Sequence, residues 1–479
     1  MTLDDLAHRV YFFFESSVIL YVFCINLVYL FLSVSAFFVI RRHHATFSPY
    51  EQQTLLDSPL LPSISLIVPA YNESATARDS VGGMLRLNYP RYEVIVVNDG
   101  SKDNTLDVLV DEFRLYRSAR NPSGSLETKP IRGVYESFDP VKLVVVDKEN
   151  GGKADSINAG INMAASPLVM VVDCDSLIDK DGLFQMVKPY LEDPDRTIAV
   201  GGTVRAVNDC RVENGVVTRI KASRSWLANF QAIEYLRAFL GGRIGFSLVN
   251  CLLIISGAFG LFRRDAVLEA GGFDESTIGE DMELVVRLHH IWRKLKRPYR
   301  IVYVAQPVCW TEVPQSLKVL QRQRKRWQRG TVESLFRHRE MLLNPRYGTV
   351  GLFSFPYFFL FEMLGPAVEC LGYFLTVMGL VFEIIAPAIA ILFFTVSIVT
   401  GILLSTSALV LEEFTRNRYP GWRDSIHIFL AAVLENVGFR QLATIWRVQG
   451  LIEGIKGKKG GWGNMERRGF QPATRGSAS

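Results

Sequence analysis

Uncharged apolar runs and short buried runs alternate along this chain, and their lengths divide it. The run from Ser17 to Ile40 carries no charge and is long enough to cross a bilayer as a helix. Arg41 and Arg42 follow directly, which predicts a cytoplasmic C-terminal end and an outside N-terminus. A cleaved signal peptide fits less well, because the start is acidic and the apolar part too long. From about residue 62 to 300 the pattern becomes that of a soluble α/β unit. Strand-like runs at Ile64 to Val68, Glu93 to Asn98, Leu143 to Val146 and Leu168 to Val172 alternate with helical patterns. Those helices are expected over Ser80 to Leu87, Thr105 to Tyr116 and Lys153 to Ala165. Near-continuous apolar strands separated by helices predict a mostly parallel sheet covered on both faces. Residues 118–130 read as an exposed loop.

Later segments are less regular. Residues 226–256 predict an interfacial helix followed by a buried strand. Thr349 to Leu411 is too long for one helix; Pro366 and Pro387 predict breaks, with crossings near 350–383 and 385–411. The loop with Arg416, Arg418 and Arg423 is expected to be cytoplasmic. Glu435, Asn436 and Arg440 interrupt the apolar pattern of 425–452, which is read as interfacial or re-entrant.

Composition supports a membrane protein. The chain has 479 residues, of which 49% are hydrophobic, and its mean hydropathy is +0.16. A net charge of +5 is too mild for a nucleic-acid partner. Basic residues instead cluster beside apolar segments, as suits an anionic cytoplasmic membrane surface. The six cysteines form no metal or redox spacing and read as reduced core residues.

Several acidic residues end buried runs or open helices. Asp173 and Asp175 follow a strand at i and i+2, where both can share one Mg²⁺ or Mn²⁺ completed by substrate phosphates. A solvated turn is the plainer reading of that pair. Asp99 also ends a strand; it can meet a nucleoside, while Ser101 or Asp103 caps the next helix. Asn150-Gly151-Gly152-Lys153 opens a helix and offers an anion site or an ordinary N-terminus. Glu280 and Asp281 open another helix, as a general base or as acids favoured by the helix dipole. Gln323, Arg326 and Trp327 share a helix face, where Arg binds diphosphate and Trp offers a platform for a sugar. The same stretch also reads as a membrane-surface charge run. Glu362, Glu369 and Glu383 lie in apolar sequence and face either a polar channel or the interface.

Pro69-Ala70-Tyr71-Asn72-Glu73, Val97-Asn98-Asp99-Gly100-Ser101, Gly151-Gly152-Lys153-Ala154-Asp155, Asp173-Cys174-Asp175, Ser256-Gly257-Ala258-Phe259, Gly279-Glu280-Asp281 and Gln323-x-x-Arg326-Trp327 occur in that order. Over roughly residues 60–330 the chain resembles the membrane-embedded glycosyltransferases of family 2, which include cellulose, chitin, hyaluronan and poly-N-acetylglucosamine synthases. The resemblance implies an α/β, Rossmann-like GT-A fold with N- and C-terminal transmembrane and interfacial helices. It implies that Pro69, Tyr71, Glu73, Asp99, Lys153, Asp173, Gln323 and Arg326 bind a UDP-sugar, with Asp99 on the uridine. Asp173 and Asp175 would hold Mg²⁺ or Mn²⁺, Asp175 the closer. Ser256, Gly257, Glu280 and Trp327 would meet the acceptor, and Asp281 would be the base of an inverting transfer.

On that basis residues 1–45 are a transmembrane helix and anchor, and 60–300 the cytoplasmic GT-A domain. Residues 301–345 are interfacial helices, 346–452 a transmembrane channel and 453–479 a basic cytoplasmic tail. The expected protein is a multi-pass enzyme of the inner (plasma) membrane that extends a β-glycan processively and exports it. UDP-N-acetylglucosamine is the first expected donor and UDP-glucose the second, with export or periplasmic proteins as further partners. Transfer of one sugar to a lipid-linked acceptor is the rival enzymatic reading, and a non-catalytic nucleotide-sugar-binding scaffold the rival of another class. Two departures stand out. The base motif is Gly-Glu-Asp, where many polysaccharide synthases have Thr-Glu-Asp and hyaluronan-type ones Gly-Asp-Asp. Trp462-Gly463 to Arg467-Arg468 only partly resembles the Trp-Gly-Thr-Arg gating element of chitin and hyaluronan synthases, and no further regulatory domain is expected after it.

Overall fold

A computed structural model describes residues 3–43, 49–139, 142–415, 419 and 421–457. Arg416, Arg418 and the segment Trp462 to Arg468 therefore lie outside the described residues. The centre is a sheet of ten strands. In chain order these are β1 (Ile64–Ala70), β2 (Tyr92–Asp99), β3 (Tyr116–Arg117), β4 (Ile131–Glu136), β5 (Lys142–Lys148), β6 (Leu168–Val172), β7 (Ser176–Ile178) and β8 (Thr197–Ala206). A separate hairpin, β9 (Arg211–Glu213) and β10 (Val216–Arg219), follows, and then β11 (Phe259–Arg263) and β12 (Arg300–Thr311) complete the sheet.

The four strands expected from sequence are β1, β2, β5 and β6, and they are parallel neighbours in the order β5-β2-β1-β6. Their cores are buried on both faces, which is why they read as continuous apolar runs. The helix Lys153–Met163 lies against β1, with Gly160 tight on Ile67. Beyond β6 the sheet changes direction: β11 is antiparallel to both β6 and β8, while β12 runs parallel to β8. The expected buried strand within 246–255 is corrected. Ile244–Leu248 is helical, and Cys251 to Ile255 is buried but forms no ladder, so the strand begins only at Phe259. The sheet also takes in Arg300–Thr311, past residue 300. Ile301, Val302, Tyr303 and Val304 carried that strand signal.

Among the described residues, two helices are long and apolar enough to cross a membrane, Tyr11–Arg41 and Ala390–Glu413. Two bent pairs add up to two more: Val350–Met363 with Gly365–Val381 at 43°, and Trp422–Leu434 with Phe439–Ile455 at 58°. Pro366 sits in the first turn after the first break, and Pro387 opens the helix Pro387–Glu413. Glu362 and Glu369 are ion-paired across the bent pairs, to Arg447 at 3.2 Å and to Arg440 at 3.6 Å. Glu383 lies instead on an exposed turn with a left-handed φ of 55°.

The sheet is tied to the helix Pro387–Glu413 by an ion pair between Arg205 of β8 and Glu412, and both side chains are almost fully buried. Trp310 and Tyr419 cover the guanidinium at 5.2 and 5.5 Å. Arg205→Ala leaves Glu412 buried without its cation, at an expected cost of about 3–5 kcal/mol. Arg205→Met paired with Glu412→Leu is expected to restore most of it. Unfolding midpoints of the detergent-solubilised variants check both.

Candidate active site

The carboxyl ends of the parallel strands gather most of the sequence-predicted residues. Asp99 ends β2 and is 4% exposed. Its register partner on β5 is Lys148, which donates to it at 2.9 Å. The Asp99 carboxylate also accepts from the backbone N–H groups of Gly151 at 2.9 Å and Gly152 at 2.8 Å, and from Asn150 Nδ2 at 3.1 Å. Lys148 is fully buried and also pairs with Asp155. One ammonium thus serves two carboxylates, and together they fix the loop that leads to Lys153. Lys148 and Asp155 were missed as site residues, although a lysine ending a buried strand is a visible signal. The Tyr71–Glu73 turn after β1 is pinned to the same edge. Asn72, at φ 55°, donates its N–H to Ser101 Oγ at 3.0 Å, and Glu73 N donates to Thr105 Oγ1 at 2.9 Å. Pro69 lies in β1 beside this turn and Tyr71 is exposed. Asp103, not Ser101, meets the start of the following helix, accepting from Thr105 N at 3.1 Å.

Asp173 and Asp175 occupy the turn after β6. Asp173 remains partly accessible and Asp175 is buried. Lys153 reaches Asp173 at 2.5 Å, Glu280 at 3.6 Å and the Gly257 carbonyl at 3.3 Å. Burial opposes the Lys153 charge, but Asp173, Glu280 and Asp281 outweigh it and hold the ammonium above the ordinary lysine range. Asp281 accepts from Gly257 N at 2.9 Å and from its neighbour Met282 N at 2.8 Å. A side chain at Gly257 would crowd Lys153 Nζ and the Asp281 carboxylate at 3.2 and 3.4 Å. Burial raises the Glu280 carboxyl to about 7, against Lys153 and with Asp281 adding to the rise. Ser256 closes a turn to Phe259 and places Gly257 between the two charged groups. Among the described residues no three His, Cys, Asp or Glu side chains gather as a metal cage. Asp173 and Asp175, two carboxylates in one turn after β6, would suit a hard cation that a substrate's phosphates would complete.

Gln323, Arg326 and Trp327 lie on the helix Leu317–Arg337. Trp327 is 41% exposed, with Tyr235 6.3 Å from its ring and the Arg324 guanidinium stacked over it at 4.3 Å. Arg324 is buried and held by Glu234 at 2.6 Å. Arg326 is close enough to Glu280 to lower its proton affinity. The helix is locked to the acidic pair by a backbone contact. A Cβ on Gly330 would come within 2.9 Å of Gly279 Cα, the residue before Glu280. Glu333 adds hydrogen bonds from Ile278 N at 3.0 Å and Thr277 Oγ1 at 3.2 Å. Neither Arg324 nor the Gly279–Gly330 contact was legible in the sequence, because each depends on a distant partner.

A strand-edge crevice with clustered carboxylates and a basic-aromatic helix defines a transferase-type α/β site. The glycosyl transferase family 2 model matches residues 65–269, and that of glycosyl transferase family group 2 matches residues 168–404. The chain belongs to glycosyltransferase family 2, and its sheet is a GT-A-like, Rossmann-type domain. It is similar to the poly-beta-1,6-N-acetyl-D-glucosamine synthase of Staphylococcus aureus (strain COL), with 31% identity over 308 residues, 64% of this chain and 61% of the relative. The synthase of the same description from Staphylococcus epidermidis is 30% identical over 291 residues, 60% of each chain. The chain therefore spans about three fifths of the length of these curated relatives. Among solved structures, a mannosyltransferase from Pyrobaculum calidifontis in complex with GDP-Man and Mn²⁺ aligns at 16% identity. That alignment has a TM-score of 0.47 and covers 91% of this chain and 99% of the other.

Gly330→Ala tests the helix contact. The added methyl must part the two backbones, at an expected cost of about 1–3 kcal/mol. Sugar transfer should fall more than nucleotide binding does, since Trp327 rides on the displaced helix while the loop held by Asp99 stays in place. Unfolding midpoints and turnover of the purified variant check the two effects separately.

Proposed function

We propose that this protein is an inverting polysaccharide synthase that transfers a sugar from a UDP-sugar to the nonreducing end of a β-glycan. The observation that carries this is the convergence of Asp281, Gly257, Lys153 and Asp173 on one crevice, with exposed Trp327 on the neighbouring helix. In the proposed step the acceptor hydroxyl oxygen bonds to the anomeric carbon of the donor. The bond from that carbon to the diphosphate oxygen breaks with its electron pair, and UDP leaves. The hydroxyl proton passes to the Asp281 carboxylate, which the Gly257 N–H holds in place. Asp173 and Asp175 would hold Mg²⁺ or Mn²⁺, whose chemistry is to neutralise charge growing on the departing diphosphate. Lys153 and Arg326 bring further positive charge to the same side. Asp99 holds the loop of Gly151 and Gly152 so that its helix opens toward the donor.

UDP-N-acetylglucosamine is the proposed donor, supported by the similarity to the staphylococcal synthases, with UDP-glucose second. The proposed setting is a cytoplasmic catalytic domain on a multi-pass inner-membrane protein, with Trp327 guiding a growing chain toward export. Purified protein given each UDP-sugar with Mn²⁺ or Mg²⁺ should release UDP and form a polymer, and EDTA should stop both. Asp281→Asn is expected to lower transfer roughly a hundredfold or more. Equal UDP release by wild type and Asp281→Asn overturns the base assignment. Addition of a single sugar, into a product extractable with organic solvent, overturns processive synthesis.

Glu280 gives a separate pH prediction. Its carboxyl is raised from 4.5 to about 7, so the folded protein keeps a proton that the unfolded chain has lost. The stability it contributes is complete below about pH 4.5 and is lost as pH rises through about 7. The unfolding midpoint should therefore fall between about pH 5 and about pH 8, and Glu280→Gln should flatten that fall. A variant with the wild-type slope sinks the prediction.

A further inference from the structure

Arg243 has no place in the chemistry above, yet it stands beside it. It ends a π-helical segment, Arg237–Arg243, that continues the helix Trp226–Leu236. Such wide turns are uncommon and are found mostly at functional sites. The far side of the segment rests on the first membrane helix, where Gly241 meets Ser33 and Gly245 meets Leu32. The Arg243 guanidinium lies 4.0 Å over the Phe239 ring, and Tyr303 stacks on the same ring at 6.4 Å. Tyr303 is itself fixed, donating its hydroxyl to the Gly202 carbonyl at 2.7 Å. One amino group is left over: Arg243 Nη1 is buried and has no hydrogen-bond partner among the described residues. A buried guanidinium N–H without an acceptor costs free energy, so a partner absent from the free protein accounts for it best.

The surroundings point to the chemistry of that partner. The carboxylate that acts on Arg243 through space is Asp281, and Tyr235 is the next aromatic neighbour. Tyr235 packs edge-on to Phe239 at 5.6 Å and lies 6.3 Å from Trp327. Arg243 thus belongs to the aromatic wall that runs from Trp327 past the catalytic carboxylate. In the proposed reaction a diphosphate is already met by Lys153 and Arg326. Aromatic faces with one fixed donor suit a neutral pyranose, whose C–H faces stack and whose oxygens accept hydrogen bonds.

We propose that Arg243 binds the acceptor sugar, with Nη1 donating to a ring, hydroxyl or acetamido oxygen of the residue whose hydroxyl faces Asp281. It rests on the glycan-synthase reading above and adds a specificity-determining residue to it. Stacking on Phe239 keeps the guanidinium in position before the acceptor arrives, so little ordering is needed on binding.

The test uses the full-length protein in detergent with UDP-N-acetylglucosamine and an added β-linked N-acetylglucosamine oligosaccharide. Arg243→Gln is expected to raise the acceptor KM about tenfold or more and the donor KM less than about twofold. Arg243→Lys keeps the charge but loses the fork, and should fall between the two. A de-N-acetylated acceptor separates an acetamido contact from a hydroxyl contact. If the variant loses most of its penalty with that acceptor, the contact is to the carbonyl; if it keeps it, to a hydroxyl or ring oxygen. An unchanged acceptor KM overturns the proposal. So does a shift in the pH profile of kcat at constant acceptor KM, which assigns Arg243 to tuning Asp281 instead. UDP binding by each variant reports folding, and Arg243→Lys decides the matter if Arg243→Gln does not fold. Failure of the wild type to elongate the oligosaccharide overturns the synthase reading itself, which is a different outcome.

Discussion

The crevice depends on one buried cation. Lys148 has no solvent exposure and stands between Asp99 at the end of β2 and Asp155 in the helix after the glycine loop. Removing Lys148 would leave two carboxylates in a dry site without their cation. The loop between them is therefore not free to drift. Asp99 holds the N–H groups of Gly151 and Gly152, Asp155 accepts from Lys129 N at 2.9 Å, and Lys153 emerges at a defined point. From there the chain of charges continues through Asp173 to Glu280. These charges of alternating sign run along the edge of one continuous hydrophobic core that includes Val94, Ile157, Val169, Met282 and Val332.

A second constraint joins this crevice to the membrane helices. The helix Leu317–Arg337 meets Gly279 by backbone on one side and the helix Phe439–Ile455 on the other, where Gly450 and Gly454 admit Lys325, Gln328 and Val332. Gln328, next to Trp327, donates to the carbonyls of Glu362 and Met363 at 3.1 and 3.0 Å. Those carbonyls lie just before the break at Leu364, where regular helical bonding stops. Arg447 completes the joint by donating to Gln328 Oε1 at 2.9 Å and to the Glu362 carbonyl at 2.8 Å. Glu362 and Arg447 each have a second rung seven residues along their helices, in Glu369 and Arg440. Polar groups in apolar sequence are thus satisfied by one another, as a low-dielectric setting demands. The helix Leu317–Arg337 cannot tilt without straining this joint.

Local pattern carried far in this chain and long-range contact did not. The four parallel strands, the helices after them and the breaks near Pro366 and Pro387 were legible because period, burial and proline geometry are local signals. Asp173, Lys153, Glu280 and Asp281 were legible as candidates, and the structure brings them together through Lys153 and Gly257. The segment 246–255 was misread because an apolar run has the same composition whether it pairs in a sheet or only packs against one. Lys148 was missed although it ends a buried strand, and Arg324 and Arg243 carried no local signal at all. Each looks like an ordinary basic residue until the fold supplies Asp99, Glu234 or Phe239 beside it.

The same distinction changes what the Gly-Glu-Asp motif means. As a sequence, glycine where related synthases have threonine bears on which sugar is used. In the fold, Gly279 lies with Gly330 at a separation that leaves no room for a Cβ on either residue. Its φ of −105° is open to any residue, so backbone conformation does not require the glycine. The close approach does. Threonine at 279 would push the helix bearing Arg326 and Trp327 away from Glu280 and Asp281, unless position 330 also moved. Gly279 is therefore half of a packing pair, which gives the glycine a structural reason independent of the donor. In the proposed reading, discrimination among sugars falls instead to Arg243, with its unspent hydrogen-bonding capacity, and to the exposed face of Trp327.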